Sequence, residues 1–141
     1  MEDAGRFMLL VEDNPLDQKL MLRALKRAGI SARIVVLADG LEAVDFLLDP
    51  DNGLPAVVLL DINLPRLDGL EVVRRVRAEE RTRLVPIVML TTSDEASDLE
   101  RSYAFGANSF VRKPVDSEEF DEVIRQLSAY WLELNRLPRS P

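Results

Sequence analysis

Five times along this chain a short apolar run is followed by an amphipathic stretch, and that alternation constrains the fold more than any other feature. The runs occupy residues 7–11, 34–37, 56–60, 85–90 and 109–112. All five read as strands, and the run 56–60, with Pro55 before it, reads as one buried on both faces, typical of a parallel sheet. Between them, apolar residues recur at helical spacing. Asn14-Pro15 reads as an N-cap with proline in the first turn, and Leu16, Leu20, Met21, Ala24, Leu25 and Ala28 follow until Gly29 stops the helix. Asp39-Gly40 opens a second helix, and Leu70, Val73 and Val76 mark a third. Ser93 or Asp94 is placed to cap a fourth that ends at Gly106, and Ser117 opens the last with acids in its first turn. Strands alternating with helices imply a doubly wound α/β fold, a five-stranded parallel sheet with helices on both faces. The flavodoxin-like order 2-1-3-4-5 is expected, with a ligand crevice at the switch point. Residues 1–141 read as one domain, with 130–141 an extended helix end and tail.

Composition removes several kinds of chemistry. The chain has no cysteine and no histidine, so disulfides, thiol catalysis, Ser-His hydrolysis and histidine zinc sites are unavailable. A net charge of −7 argues against gripping a nucleic-acid backbone. The start Met-Glu-Asp-Ala-Gly-Arg lacks a basic n-region and apolar h-region, and no apolar stretch approaches a membrane span. A cytoplasmic protein is expected.

The strand ends carry the chemistry. Asp61 closes the run 56–60, Glu12-Asp13 follow 7–11, Thr91 follows 85–90 and Lys113 follows 109–112. On parallel strands these groups converge at one edge. Three acids there would repel one another, and a hard divalent cation relieves the repulsion. Mg²⁺ suits two carboxylates, a carbonyl and retained waters. Asp13 and Asp61 are expected as direct ligands, Glu12 as a ligand through water and the carbonyl of Asn63 as the peptide ligand. Asp61 is either a ligand alone or also a nucleophile toward phosphorus. Lys113 offers a positive charge to a phosphoryl oxygen, and Thr91 a hydroxyl. Taken singly, a surface lysine and a strand-end threonine are the plainer readings; their shared edge raises the functional one. A dinucleotide site is disfavoured, because the first turn is Glu12-Asp13-Asn14-Pro15 rather than glycine-rich. A flavodoxin is disfavoured by the lack of a Ser/Thr-rich phosphate loop there.

Four segments resemble the CheY-like receiver domain of two-component response regulators: Leu-Val-Glu-Asp-Asn (10–14), Leu-Leu-Asp-Ile-Asn-Leu-Pro-Arg-Leu-Asp-Gly (59–69), Val-Met-Leu-Thr-Thr-Ser (88–93) and Phe-Val-Arg-Lys-Pro (110–114). The resemblance spans about residues 6–130. It implies Asp61 as phosphoacceptor, Glu12 and Asp13 as the acidic pair, Thr91 as switch hydroxyl, Lys113 as phosphate-pairing lysine and Phe110 as switch aromatic. It also implies a cis peptide bond at Lys113-Pro114. The tail from Tyr130 to Pro138, with Val115-Asp116 and Phe120, is similar to single-domain receivers that partner bacterial phytochromes. The implied function is a phosphorylation switch, not an enzyme, that accepts a phosphoryl group from a sensor histidine kinase of phytochrome type with Mg²⁺. It would self-dephosphorylate slowly and act through a downstream docking or phosphotransfer protein. A haloacid-dehalogenase-like phosphatase is the alternative with similar groups, but it needs a general acid where Asn63 stands. A receiver-like binding module without phosphorylation is the other alternative, disfavoured by the intact acid, hydroxyl and lysine set.

From Ser117 a helical stripe continues through Phe120, Val123, Ile124, Leu127, Tyr130, Trp131, Leu134 and Leu137. These 21 residues would make about 31 Å of helix. The far end, Tyr130, Trp131, Leu134 and Leu137, is expected to form a homodimer interface.

Overall fold

The computed structural model describes residues 6–138. Strands β1 (Phe7–Val11), β2 (Arg33–Leu37), β3 (Val57–Leu60), β4 (Ile87–Thr91) and β5 (Ser109–Arg112) form one parallel sheet in the order β2-β1-β3-β4-β5. Helices α1 (Pro15–Arg27), α2 (Gly40–Leu48), α3 (Gly69–Ala78), α4 (Ala96–Phe105) and α5 (Ser117–Ala129) complete the expected doubly wound, flavodoxin-like architecture. The chain turns to β2 on one side of β1 and to β3 on the other, so the carboxyl ends of β1 and β3 flank the switch point.

The continuous apolar runs divide by strand period between two cores. Leu9, Val11, Val58, Leu60, Ile87 and Met89 face Val44, Leu47, Val73 and Val76 of α2 and α3. Met8, Leu10, Val57, Leu59, Val88 and Leu90 face Met21, Ala24, Leu25, Phe120 and Ile124 of α1 and α5. Each buried Leu or Met contributes about 1.5–3 kcal/mol, so the three central strands supply much of the stability that holds the strand ends in place.

Side-chain caps set most helix starts. Asn14 Oδ1 accepts from the amides of Leu16 and Asp17 at 2.9 and 3.1 Å. Asp39, Asp68 and Asp116 do the same for α2, α3 and α5. The start of α4 departs from expectation: Glu95 precedes it without a side-chain cap, and neither Ser93 nor Asp94 takes that role. Ser93 Oγ instead accepts from the Glu95 amide at 3.3 Å and donates to Asp98 at 2.7 Å.

The last helix also differs. After α5 the chain makes one π-helical turn over Tyr130–Leu134 and leaves the helix at Asn135. The wider turn shifts the phase of the side chains that follow. Leu132 is thereby buried, Trp131 is half-buried against the α1–α5 core, and Tyr130, Leu134 and Leu137 stay exposed. The expected exposed face therefore keeps three of its four members. The Lys113–Pro114 bond is trans, which corrects the cis bond that the resemblance implied. Among the described residues no helix is long and apolar enough to cross a membrane.

Candidate functional site

Asp61 follows β3 directly, and its amide still donates to the Val11 carbonyl at 3.2 Å, extending the β1–β3 ladder. Its side chain is buried at 9% exposure. The loop beyond it folds back tightly: the Gly69 amide donates to the Ile62 carbonyl at 2.8 Å. A Cβ on Gly69 would lie 2.1 Å from the Asp61 carbonyl oxygen, so only glycine permits α3 to start so close beneath the acid. The Asn63 amide donates to Asp61 Oδ1 at 3.2 Å, which orients the carboxylate.

Lys113, just beyond β5, reaches the same place. Its ammonium donates to Glu12 Oε1 at 2.5 Å, to Asp61 Oδ2 at 3.0 Å and to Asp17 Oδ2 at 3.0 Å. Burial by itself would lower the pKa of this lysine. Its hydrogen bonds to Glu12 and Asp61 and their charges outweigh burial, so its pKa stands above that of an ordinary lysine. Glu12 is 2% exposed, and burial raises its carboxyl pKa above 4.5 despite the lysine beside it. The two directions agree physically, because one ammonium is shared among three carboxylates. The lysine sees ample negative charge, while each acid sees only part of a positive one.

Asp13, next along the chain, is exposed. Both Glu12 oxygens are engaged, Oε1 by Lys113 and Oε2 by the Asn14 amide at 3.1 Å. Among the described residues no three acids are gathered into a metal cage. The expected convergence of Glu12, Asp13 and Asp61 is thus modified, since the lysine lies between Glu12 and Asp61. The donor set still fits a hard divalent cation. Three carboxylates, Glu12, Asp17 and Asp61, surround one lysine, and the exposed Asp13 follows Glu12 in the chain. Both Asp61 oxygens are engaged as well, by the Asn63 amide and Lys113, but each keeps a second lone pair, so Asp61, Asp13 and the Asn63 carbonyl would be the groups to ligate.

Thr91 ends β4 fully buried, and its Oγ1 accepts from the Ser93 amide at 3.3 Å. Its carbonyl accepts from the Lys113 amide at 2.8 Å, which ties the hydroxyl's strand to the lysine's. Phe110 pairs with Met89 in the β4–β5 register and is half-buried against the α2–α3 core. Beside the Asp61 loop, a crevice of about 350 Å³ is lined by Asn63, Asp68, Ser93, Asp94, Asp98 and Arg101, among others.

Two contributors escape sequence reasoning. Asp17 reads as an acid favoured by the dipole at a helix start, and only the fold turns it onto Lys113. Gln18 donates to the Glu12 carbonyl at 2.5 Å, and no motif marks it.

This geometry matches known proteins. The "Response regulator receiver domain" family model matches residues 8–125. The "Probable methanogenesis regulatory protein FilR2" of Methanothrix harundinacea is 42% identical, over 93% of this chain and 86% of its own length. Response regulator Rcp1 of Synechocystis sp. is 32% identical over 94% of this chain and 93% of its own. The crystal structure of the Mn²⁺-bound form of Rcp1 superposes with a TM-score of 0.87, covering 95% of this chain and 99% of that one. The phosphorylated cyanobacterial phytochrome response regulator RcpA, 30% identical, also superposes at 0.87 with the same coverage. A sheet in the order 2-1-3-4-5 with Asp61, Glu12, Thr91 and Lys113 at its carboxyl edge, together with this match across most of the chain, places the protein in the response regulator receiver domain family.

Proposed function

We propose that Asp61 is the phosphoacceptor of a signalling switch charged by a sensor histidine kinase, and that the protein is not an enzyme acting on free substrates. The observation that carries this reading is the buried Lys113 ammonium, which links Asp61 to the acids behind it. In the transfer, an Asp61 oxygen attacks the phosphorus of a phosphohistidine. The O–P bond forms, the P–N bond breaks, and its electron pair stays on the imidazole nitrogen, which takes up a proton. A divalent cation, Mg²⁺ in our reading, would be held by Asp13, Asp61 and the Asn63 carbonyl, with Glu12 reached through water. Bound there, it would neutralise charge on the transferred group. Lys113 pairs a phosphoryl oxygen, and Thr91 donates to another. Phe110, half-buried at the edge of the core, repacks as Thr91 moves. The Mn²⁺-bound Rcp1 and phosphorylated RcpA support the metal and the acyl phosphate.

A kinase of phytochrome type is supported by the description of RcpA, whereas FilR2 is named for methanogenesis, so the kinase class must be tested directly. The reading places the protein in the cytoplasm, passing its signal by docking or onward phosphotransfer. The phosphatase alternative is disfavoured because Asn63 cannot act as a general acid. The decisive experiment is phosphoryl transfer from the candidate kinase to wild type and to Asp61→Asn. We expect labelling of wild type alone; label retained by Asp61→Asn would overturn the site. A homodimer through Tyr130, Leu134 and Leu137, with Trp131 at its margin, is supported by their exposure of 47%, 70% and 42%. Sedimentation of Leu134→Glu tests it: wild type that is monomeric at high concentration removes the dimer.

A further inference from the structure

We propose that Asp17 is a positioning residue that parks the Lys113 ammonium in the resting protein and must release it before a phosphoryl group on Asp61 can be paired. The proposal rests on the phosphoacceptor reading of Asp61. A lysine ammonium has three N–H donors, and here all three are used, on Glu12, Asp17 and Asp61. A phosphoryl oxygen can therefore enter only by displacing one of them. Glu12 is a poor candidate, because its side chain is 2% exposed and its released oxygen would be left without water. Asp61 carries the incoming group itself. The Asp17 side chain is 31% exposed, so water can replace the lysine there at little cost. The bond to Asp17 is the one that yields.

Local sequence explains why Asp17 is available. It is the third residue of α1, where an acid usually folds back onto the amide of the N-cap residue. That amide, of Asn14, already donates to Glu12 Oε2 at 3.1 Å. Glu12 fills the capping role from outside the helix, and Asp17 is free to reach the residue after β5. The first turn of α1 is thereby tied to the state of Asp61 through one ammonium.

The test uses beryllium trifluoride with Mg²⁺ as a phosphoryl mimic, with binding followed by calorimetry and fluorine NMR. Asp17→Asn should bind the mimic about two- to fivefold more tightly, the scale of one partly exposed charged contact. Its affinity for Mg²⁺ alone should not rise, because removing a nearby negative charge favours no cation. Asp17→Glu, which keeps the charge, should stay close to wild type. Asp94→Asn controls for the general field, since Asp94 faces Arg112 at 3.5 Å rather than Lys113. Unchanged or weaker binding in Asp17→Asn, or an equal gain in Asp94→Asn, overturns the parking role. Wild type that fails to bind the mimic with Mg²⁺ present overturns the phosphoacceptor reading beneath it.

Discussion

Lys113, buried, and Arg77, half-buried, are cations at opposite ends of the sheet, and they are held by opposite kinds of partner. At the carboxyl end, Lys113 donates only to carboxylates. Toward the amino end, Arg77 of α3 donates to the carbonyls of Val85 and Gly106 at 2.7 and 2.8 Å, and to Asn108 Oδ1 at 2.9 Å. Those acceptors are neutral. Burial therefore lowers the Arg77 pKa, whereas the acids around Lys113 overcome burial and raise its own. Arg77 staples α3 to the loops leading into β4 and β5, and nothing in its surroundings asks for more charge. Lys113 is outnumbered by acids, so its end of the sheet can still respond to a cation or a phosphoryl group. The difference separates scaffold from switch within one layer.

Removing each cation tests that separation. Lys113→Met should have the larger effect: without metal it leaves buried acids unpaired and costs about 3 kcal/mol. Millimolar Mg²⁺ should recover a substantial part of the lost melting temperature, and phosphorylation of Asp61 should fall sharply. Failure of Mg²⁺ to help would mean that the acids do not form a cation site. Arg77→Met should cost about 2 kcal/mol by leaving carbonyls without donors, with no response to Mg²⁺. A Mg²⁺-dependent recovery there would erase the contrast.

The smallest effect is in alkali. The folded pKa of Lys113 lies above its ordinary value of 10.5. Its stabilisation is therefore complete below that ordinary value and is lost as pH rises through the higher folded one. Above about pH 10.5, wild type should lose melting temperature more steeply than Lys113→Met. Arg77 gives no such loss, because burial shifts its pKa downward, the opposite direction to Lys113.

Much of this was legible in the residues. Continuous apolar runs dictated the strands, fully buried at β1, β3 and β4 and half-buried at the edges β2 and β5, and the acids, hydroxyl and amine at their ends fell on one edge once the strands were parallel. Helix starts at Asn14, Asp39 and Ser117 were readable because capping is local. The last helix was less legible: its apolar stripe continues to Leu137, but the π turn buries Leu132 and draws Trp131 toward the core. That choice depends on what α1 and β1 present to the helix end, which no helical period contains.

By itself, then, the amino-acid sequence determined the sheet, its strand alternation and the identity of the charged groups at its edge. The tertiary structure alone decided how one ammonium is divided among acids 52, 96 and 101 residues away along the chain. It also decided that Glu12 rather than Asp17 caps the Asn14 amide. The physical reason is range. Backbone periodicity and capping act within a few residues, whereas the sharing of a buried charge depends on which distant carboxylates the fold brings within hydrogen-bond distance and how much water each retains.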